Sequence, residues 1–170
     1  MCAAASATWA AGRVEVLFFV STDCPISNSF APEIQRICRD YAAKGVVCSL
    51  VYEDLQVDAA AVHKHLEDYG YDRIPATRFS VINDADRHVA ASAHATITPQ
   101  AVVFDSADKI RYRGRINNFY AELGKPRRVV TVHDVRDALD AVLAGKTVAN
   151  PETKALGCYI APPDIQRRQK

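Results

Sequence analysis

A chain of 170 residues with 49% hydrophobic and 24% charged residues, 7 Gly and 8 Pro has the composition of one soluble globular domain with tails, which excludes a disordered or fibrous chain. A formal net charge of +1 gives no argument for a nucleic acid or an acidic membrane surface as partner, and the apolar run at residues 14–20 is far short of the roughly 20 residues a membrane helix needs. Cysteines at 2, 24, 38, 48 and 158 are odd in number and lack CxxC or zinc-finger spacing, so a dense disulfide scaffold is excluded and at least one thiol is unpaired.

The start, MCAAASATWAAG, lacks the basic region and long apolar core of a complete signal peptide, so residues 1–11 read as a tail and the compartment stays open between cytoplasm and export. The first strand is expected over residues 14–20 (VEVLFFV). After STDCPISN, the apolar positions Phe30, Ile34, Ile37, Cys38 and Tyr41 mark one face of an α-helix running from Pro25 to near Lys44-Gly45. VVCSLVY, residues 46–52, is a continuous β-branched run and reads as the doubly covered middle strand. Asp58 caps a second helix with Val62, Leu66 and Tyr69 inside and Gly70 at its end. Residues 78–83 read as a short strand and 84–95 as an alanine-rich helix, while 101–104 and 110–115 form a hairpin turned by Asp105 to Asp108. Residues 117–130, with the basic stretch KPRR, read as a solvated loop, and Thr131 to Asp134 as a capping box for a last helix that faces inward with Val135, Leu139 and Val142. This alternation is that of an α/β domain over residues 12–145. Residues 146–170 show no period and read as an extended tail carrying Cys158.

The chemistry centres on the strand-helix junction. With the helix starting at Pro25, Cys24 is its N-cap, and Pro25 takes the first helical position, where a missing N–H costs nothing and the fixed φ is already helical. Free backbone N–H groups and the helix dipole favour a thiolate there, while the adjacent Asp23 carboxylate opposes it. Ser27 stands where a second cysteine would complete CxxC; its hydroxyl can donate to a thiolate but cannot form a disulfide. The plain alternative is that Cys24 is a small buried turn residue. Cys38 and Cys48 read as inert core residues, and His63 and His65, two apart on a helix, point in different directions. His94, five residues before Pro99, is the histidine placed to approach Cys24, and with Cys158 such a pair would suit Cu(I).

STDCPISN after a strand, TPQAVVFD, YRGRINN, HDVRDALDAVLAGK and ETKALGCYI together resemble the thioredoxin-like fold, and within it the bacterial redoxins of the alkyl hydroperoxide reductase/thiol-specific antioxidant group with a TDCP-type site. The resemblance covers residues 12–160 or so, and implies a central mixed β-sheet flanked by helices. It implies Cys24 as attacking thiol, Pro99 as a cis-proline facing it, and Thr98 offering backbone groups to an extended substrate, with Thr22, Asp23 and Pro25 around the substrate. A cis bond precedes only about 5% of prolines in folded proteins, so this isomer comes from the resemblance and not from the residues. The chain departs from peroxiredoxins at three places: Ser21 and Leu17 stand where they carry threonine and proline, and Pro99 where their arginine precedes the late strand.

The function so implied is that of a thiol-disulfide oxidoreductase needing no cofactor and no metal, acting on a protein or small-molecule thiol or disulfide with an external reductant. Cys158 is the candidate resolving thiol if the tail folds back to Cys24; a bridge across that loop of about 130 residues would be worth roughly 4–5 kcal/mol in chain entropy. The alternatives are a free tail cysteine, a non-catalytic module that binds copper or a partner peptide, and a thiol peroxidase.

Overall fold

The computed structural model describes residues 13–54 and 56–160; the expected N-terminal tail with Cys2, and residues 161–170, lie outside them. The strands in chain order are β1 (Glu15–Val20), β2 (Val47–Tyr52), β3 (Phe79–Asn83), β4 (Ile97–Thr98), β5 (Gln100–Phe104) and β6 (Ile110–Gly114). All but β4 join one sheet in the order β3-β2-β1-β5-β6. The β1–β2 and β2–β3 pairs are parallel and the β1–β5 and β5–β6 pairs antiparallel, which makes the sheet mixed. Its middle strand is β1, where the apolar run of β2 had suggested β2. Both are buried on both faces, and two-sided burial does not say which of them takes the centre.

Among the described residues five α-helices flank the sheet: α1 (Pro25–Ser29), α2 (Ala31–Ala42), α3 (Ala59–Asp68), α4 (His88–Ser92) and α5 (Asp134–Leu143). Alternation along β1 sends Val16, Phe18 and Val20 to a large cluster with Ile34 and Ile37 of α2 and Val135 and Leu139 of α5. Leu17 and Phe19 point the other way, into a smaller cluster closed by Val89 and Ala90 of α4.

Several local expectations change. The single helix after Cys24 is two, because Pro32 has no N–H to give the Asn28 carbonyl and its ring crowds that carbonyl; the chain breaks at Phe30. The helix expected from Asp84 shrinks to α4, with the Asp84 carboxylate accepting from the Val89 and Ala90 N–H groups at 2.8 and 2.7 Å. Residues 117–130 contain a small hairpin of β7 (Tyr120–Glu122) and β8 (Lys125–Pro126). Thr131 does not cap α5: its hydroxyl accepts from the Asn118 amide at 2.8 Å, and Asp134 pairs with Arg115 at 2.8 Å.

The aperiodic segment after α5 is tied to the sheet along β6. The Arg113 N–H donates to the Pro151 carbonyl at 2.9 Å, and the Thr153 N–H to the Arg113 carbonyl at 3.1 Å. The Thr153 hydroxyl meets the Tyr112 hydroxyl at 2.5 Å and accepts from the Arg115 N–H at 3.1 Å. Gly114 permits this approach, since a Cβ there would overlap Thr153. Val148 and Ala155 are buried. No described helix is long and apolar enough to cross a membrane.

Candidate active site

Cys24 caps the start of α1 and is only 2% exposed. Pro25 takes the first helical position, and the Asn28 N–H donates to the Cys24 carbonyl at 2.9 Å. Two side chains of α1 tie down the turn that leads into it. The buried Ser27 hydroxyl accepts from the Ser21 N–H at 3.2 Å, and the Asn28 amide donates to the Thr22 carbonyl at 2.9 Å. Ser27 is thus engaged with the backbone of the turn, not with the Cys24 sulfur. The Thr22 hydroxyl donates to the exposed Asp23 carboxylate at 3.3 Å.

The Thr98-Pro99 peptide is cis, and it faces Cys24: the thiol donates to the Thr98 carbonyl at 3.5 Å. Beside it lies a last strand, β9 (Cys158–Tyr159), antiparallel to β4 with Thr98 opposite Cys158 and Ile97 opposite Tyr159. The Thr98 hydroxyl donates to the Cys158 carbonyl at 3.5 Å, and the Ile160 N–H to the Thr96 carbonyl at 3.0 Å. Gly157 makes the approach possible, since a Cβ there would overlap the Thr98 carbonyl and reach within 3.0 Å of the Pro99 ring. The backbone edge that the resemblance assigns to a substrate is therefore held by the chain's own C-terminal segment.

This pairing brings the two thiols together. Cys158 is exposed while Cys24 is buried. Desolvation of its sulfur, its hydrogen bond with the Cys24 sulfur and the charge there push the Cys158 thiol up to about 11, with a smaller push from Glu53. Among the described residues no group of three or more His, Cys, Asp or Glu side chains is placed to hold a metal ion, and His94 is exposed, with its carbonyl accepting from Arg113 at 3.0 Å.

The sequence matches the AhpC/TSA family over residues 4–113. The chain belongs to that family. Among solved structures, this redoxin is similar to an uncharacterized conserved protein of Geobacillus kaustophilus, with 27% identity, a TM-score of 0.74, and coverage of 89% of this chain and 78% of that one. A hypothetical protein of Sinorhizobium meliloti is 25% identical, with a TM-score of 0.73 over 88% of this chain and 79% of its own. A secreted disulfide oxidoreductase of Mycobacterium tuberculosis, homologous to E. coli DsbE, is 18% identical with a TM-score of 0.52, covering 79% and 83% of the two chains, and shares the thioredoxin-like fold. No curated protein matches.

Behind the Ser21–Cys24 turn the redoxin carries a buried network that its sequence did not advertise. The Asn28 amide nitrogen donates to Thr22, so its oxygen faces His65 Nε2 at 2.9 Å and that nitrogen must donate. His65 Nδ1 then accepts from the Tyr52 hydroxyl at 2.8 Å. Burial lowers the His65 pKa and so keeps the ring in the neutral form this wiring needs. On the other side, Glu53 is 7% exposed, and its Oε2 and Arg87 Nη1 are buried without a hydrogen-bond partner among the described residues. Burial pushes the Glu53 carboxyl up to about 7.

Cys38 and Cys48 lie together in the core, where burial and the hydrogen bond with Cys38 push the Cys48 thiol upward. A cavity of about 450 Å³ opens beside Pro99, floored by Phe30, Ile116 and Leu156 and rimmed by Arg127 and Lys154.

Proposed function

We propose that this redoxin performs thiol-disulfide exchange with Cys24 and Cys158 as its redox pair. The observation that carries the reading is the β4–β9 pairing, which sets Cys158 opposite Thr98 while the Thr98 carbonyl holds the Cys24 thiol. The absent second cysteine of a CxxC motif is thereby replaced from the far end of the chain. In the reduced protein the pair holds two thiols. Exchange with a substrate disulfide passes through one mixed disulfide, which the other protein thiol displaces; two electrons and two protons leave with the reduced substrate, and a Cys24–Cys158 bond remains. An external dithiol restores the pair.

The other residues act on geometry. Ser27 and Asn28 hold the Ser21–Cys24 turn, and Thr98 with Pro99 positions both sulfurs. Thr22, Asp23 and Pro25 form the surface of that turn. The cavity beside Pro99 offers a small thiol or disulfide, or a side chain of a protein partner, an apolar floor next to the pair.

Turnover of a model disulfide by the reduced protein, regenerated by dithiothreitol, tests the reading. Cys24→Ser and Cys158→Ser are each expected to abolish turnover, while Cys38→Ala retains it. Full activity in Cys158→Ser would reduce the reading to a one-cysteine mechanism.

A further inference from the structure

We infer that the cavity beside Pro99 is a specificity pocket for a small thiol or disulfide that carries its sulfur on an apolar arm ending in a carboxylate. This names the substrate class of the exchange reading above and rests on it. The position of the cavity, its uncompensated charge and the closed strand edge beside it carry the inference.

Position comes first. A cavity of about 450 Å³ falls within the roughly 300–1,000 Å³ typical of small-molecule sites. Pro99 forms part of its wall, and the carbonyl of Thr98, across the cis peptide, accepts from the Cys24 thiol. Leu156 forms another part, two residues before Cys158. A molecule seated here lies against both segments that hold the redox pair. Phe30 and Ile116, both buried, give its arm an apolar floor with Leu156. Leu123, in the turn between β7 and β8, lines the same cavity and is 60% exposed, so apolar surface there is still open to solvent.

Charge is the second observation. Of the charged side chains in the lining, two are already engaged: Arg115 pairs with the Asp134 carboxylate at 2.8 Å, and Glu122 accepts from Lys125 at 2.6 Å. The side chains of Arg127 and Lys154 have no partner among the described residues. Arg127 follows β8, whereas Lys154 belongs to the segment laid along β6. Two separate elements thus bring uncompensated cations to one apolar cavity. A neutral arm would leave both unanswered, while a terminal carboxylate can accept from either.

The third observation is the closed edge. While β9 is paired with β4, no polypeptide can add a strand at Thr98. The ligand therefore reaches the pair as a small molecule, without a backbone ladder.

Reduction of the oxidised pair by a dithiol of this class balances. One ligand thiolate forms an S–S bond to a sulfur of the pair as the Cys24–Cys158 bond breaks, and the second ligand thiolate closes the ligand disulfide and expels that sulfur. Two electrons and two protons pass to Cys24 and Cys158.

Dihydrolipoate and dihydrolipoamide test the pocket, because they share the dithiol and the apolar arm and differ in the terminal carboxylate. Each reduces the oxidised wild-type protein and an Arg127→Gln/Lys154→Gln double variant at low ionic strength, and the second-order rate constants are compared. Two exposed cations, each worth up to about fivefold, should give dihydrolipoate an advantage of about tenfold in the wild-type protein. The advantage should disappear in the double variant and shrink in about 1 M salt, where the screening length is about 3 Å. Octanoate, which has an apolar arm and a carboxylate but no sulfur, is titrated calorimetrically into both proteins and should bind the wild-type protein about tenfold more tightly. Both substituted side chains are exposed, and thermal melting confirms that the variant is folded. Equal rates for the two dithiols, an advantage that survives in the double variant, or octanoate binding that is absent or the same in both proteins overturns the pocket. A wild-type protein that never forms a Cys24–Cys158 bond removes the exchange reading instead, and octanoate alone then decides the pocket, so the two failures are distinguishable.

Discussion

Replacing Gly157 by alanine should separate β9 from β4 while leaving the domain folded. The added Cβ would overlap the Thr98 carbonyl and lie 3.0 Å from Pro99 Cδ, and neither a backbone carbonyl nor a proline ring can swing away. Overpacking of this kind costs ~1–3 kcal/mol. Residues 158–160 are held by a two-residue ladder and a few hydrogen bonds, each worth about 0.5–1.5 kcal/mol net, so detachment of β9 is the cheaper relief. Upstream, Thr153 and Ala155 stay anchored to β6 and the core. The effective concentration of Cys158 at Cys24 should then fall by the same free energy, roughly 5- to 150-fold. The assay equilibrates wild-type and Gly157→Ala proteins in glutathione redox buffers and reads the fraction of Cys24–Cys158 disulfide after acid quench. Thermal melting of the reduced proteins runs alongside. An unchanged disulfide equilibrium would refute the dependence of the pair on this contact. A collapse of the melting midpoint would refute the claim that β9 detaches locally.

Glu53 should make stability pH-dependent. Its carboxyl is raised from the ordinary 4.5 to about 7, so between these values the folded state keeps a proton that the unfolded state has released. Stability is therefore greatest below about 4.5 and falls as pH rises through about 7, by at most ~3 kcal/mol from this group. Urea denaturation across that range should show the decline in the wild-type protein and a flatter profile in Glu53→Gln; the same slope in both would contradict the assignment. His65→Ala should strand the Tyr52 hydroxyl and the Asn28 amide oxygen, costing ~1–3 kcal/mol in urea denaturation and speeding alkylation of Cys24 as the turn loosens. Unchanged stability and labelling would mean the network does not support the turn.

What could be read in advance divides by range of interaction. Cys24 and Pro25 were legible because strand end, N-cap and first helical residue are local features, and the Thr98-Pro99 site came with the TPQAVVFD resemblance. Cys158 stood out as a thiol in a segment with no period, but the strand that seats it did not. β9 and β4 have two residues each, too few to show alternation, and their pairing depends on Gly157, whose role appears only when the Thr98 backbone lies against it. The break at Phe30 was hidden because α1 and α2 both turn apolar residues to the same core, so the periodic pattern crosses Pro32 without a fault. His65 read only as one of two histidines, two apart on a helix, that point in different directions. Its burial comes from the packing of α3 beside Tyr52 and Asn28, which no spacing within α3 encodes.

The most direct test is peptide mapping of the wild-type protein under non-reducing conditions after mild oxidation. The predicted result is one cross-link joining Cys24 to Cys158, lost on reduction, with the core residues Cys38 and Cys48 recovered as thiols. Recovery of Cys24 as a free thiol, or its cross-linking to any cysteine other than Cys158, would contradict the proposed redox pair.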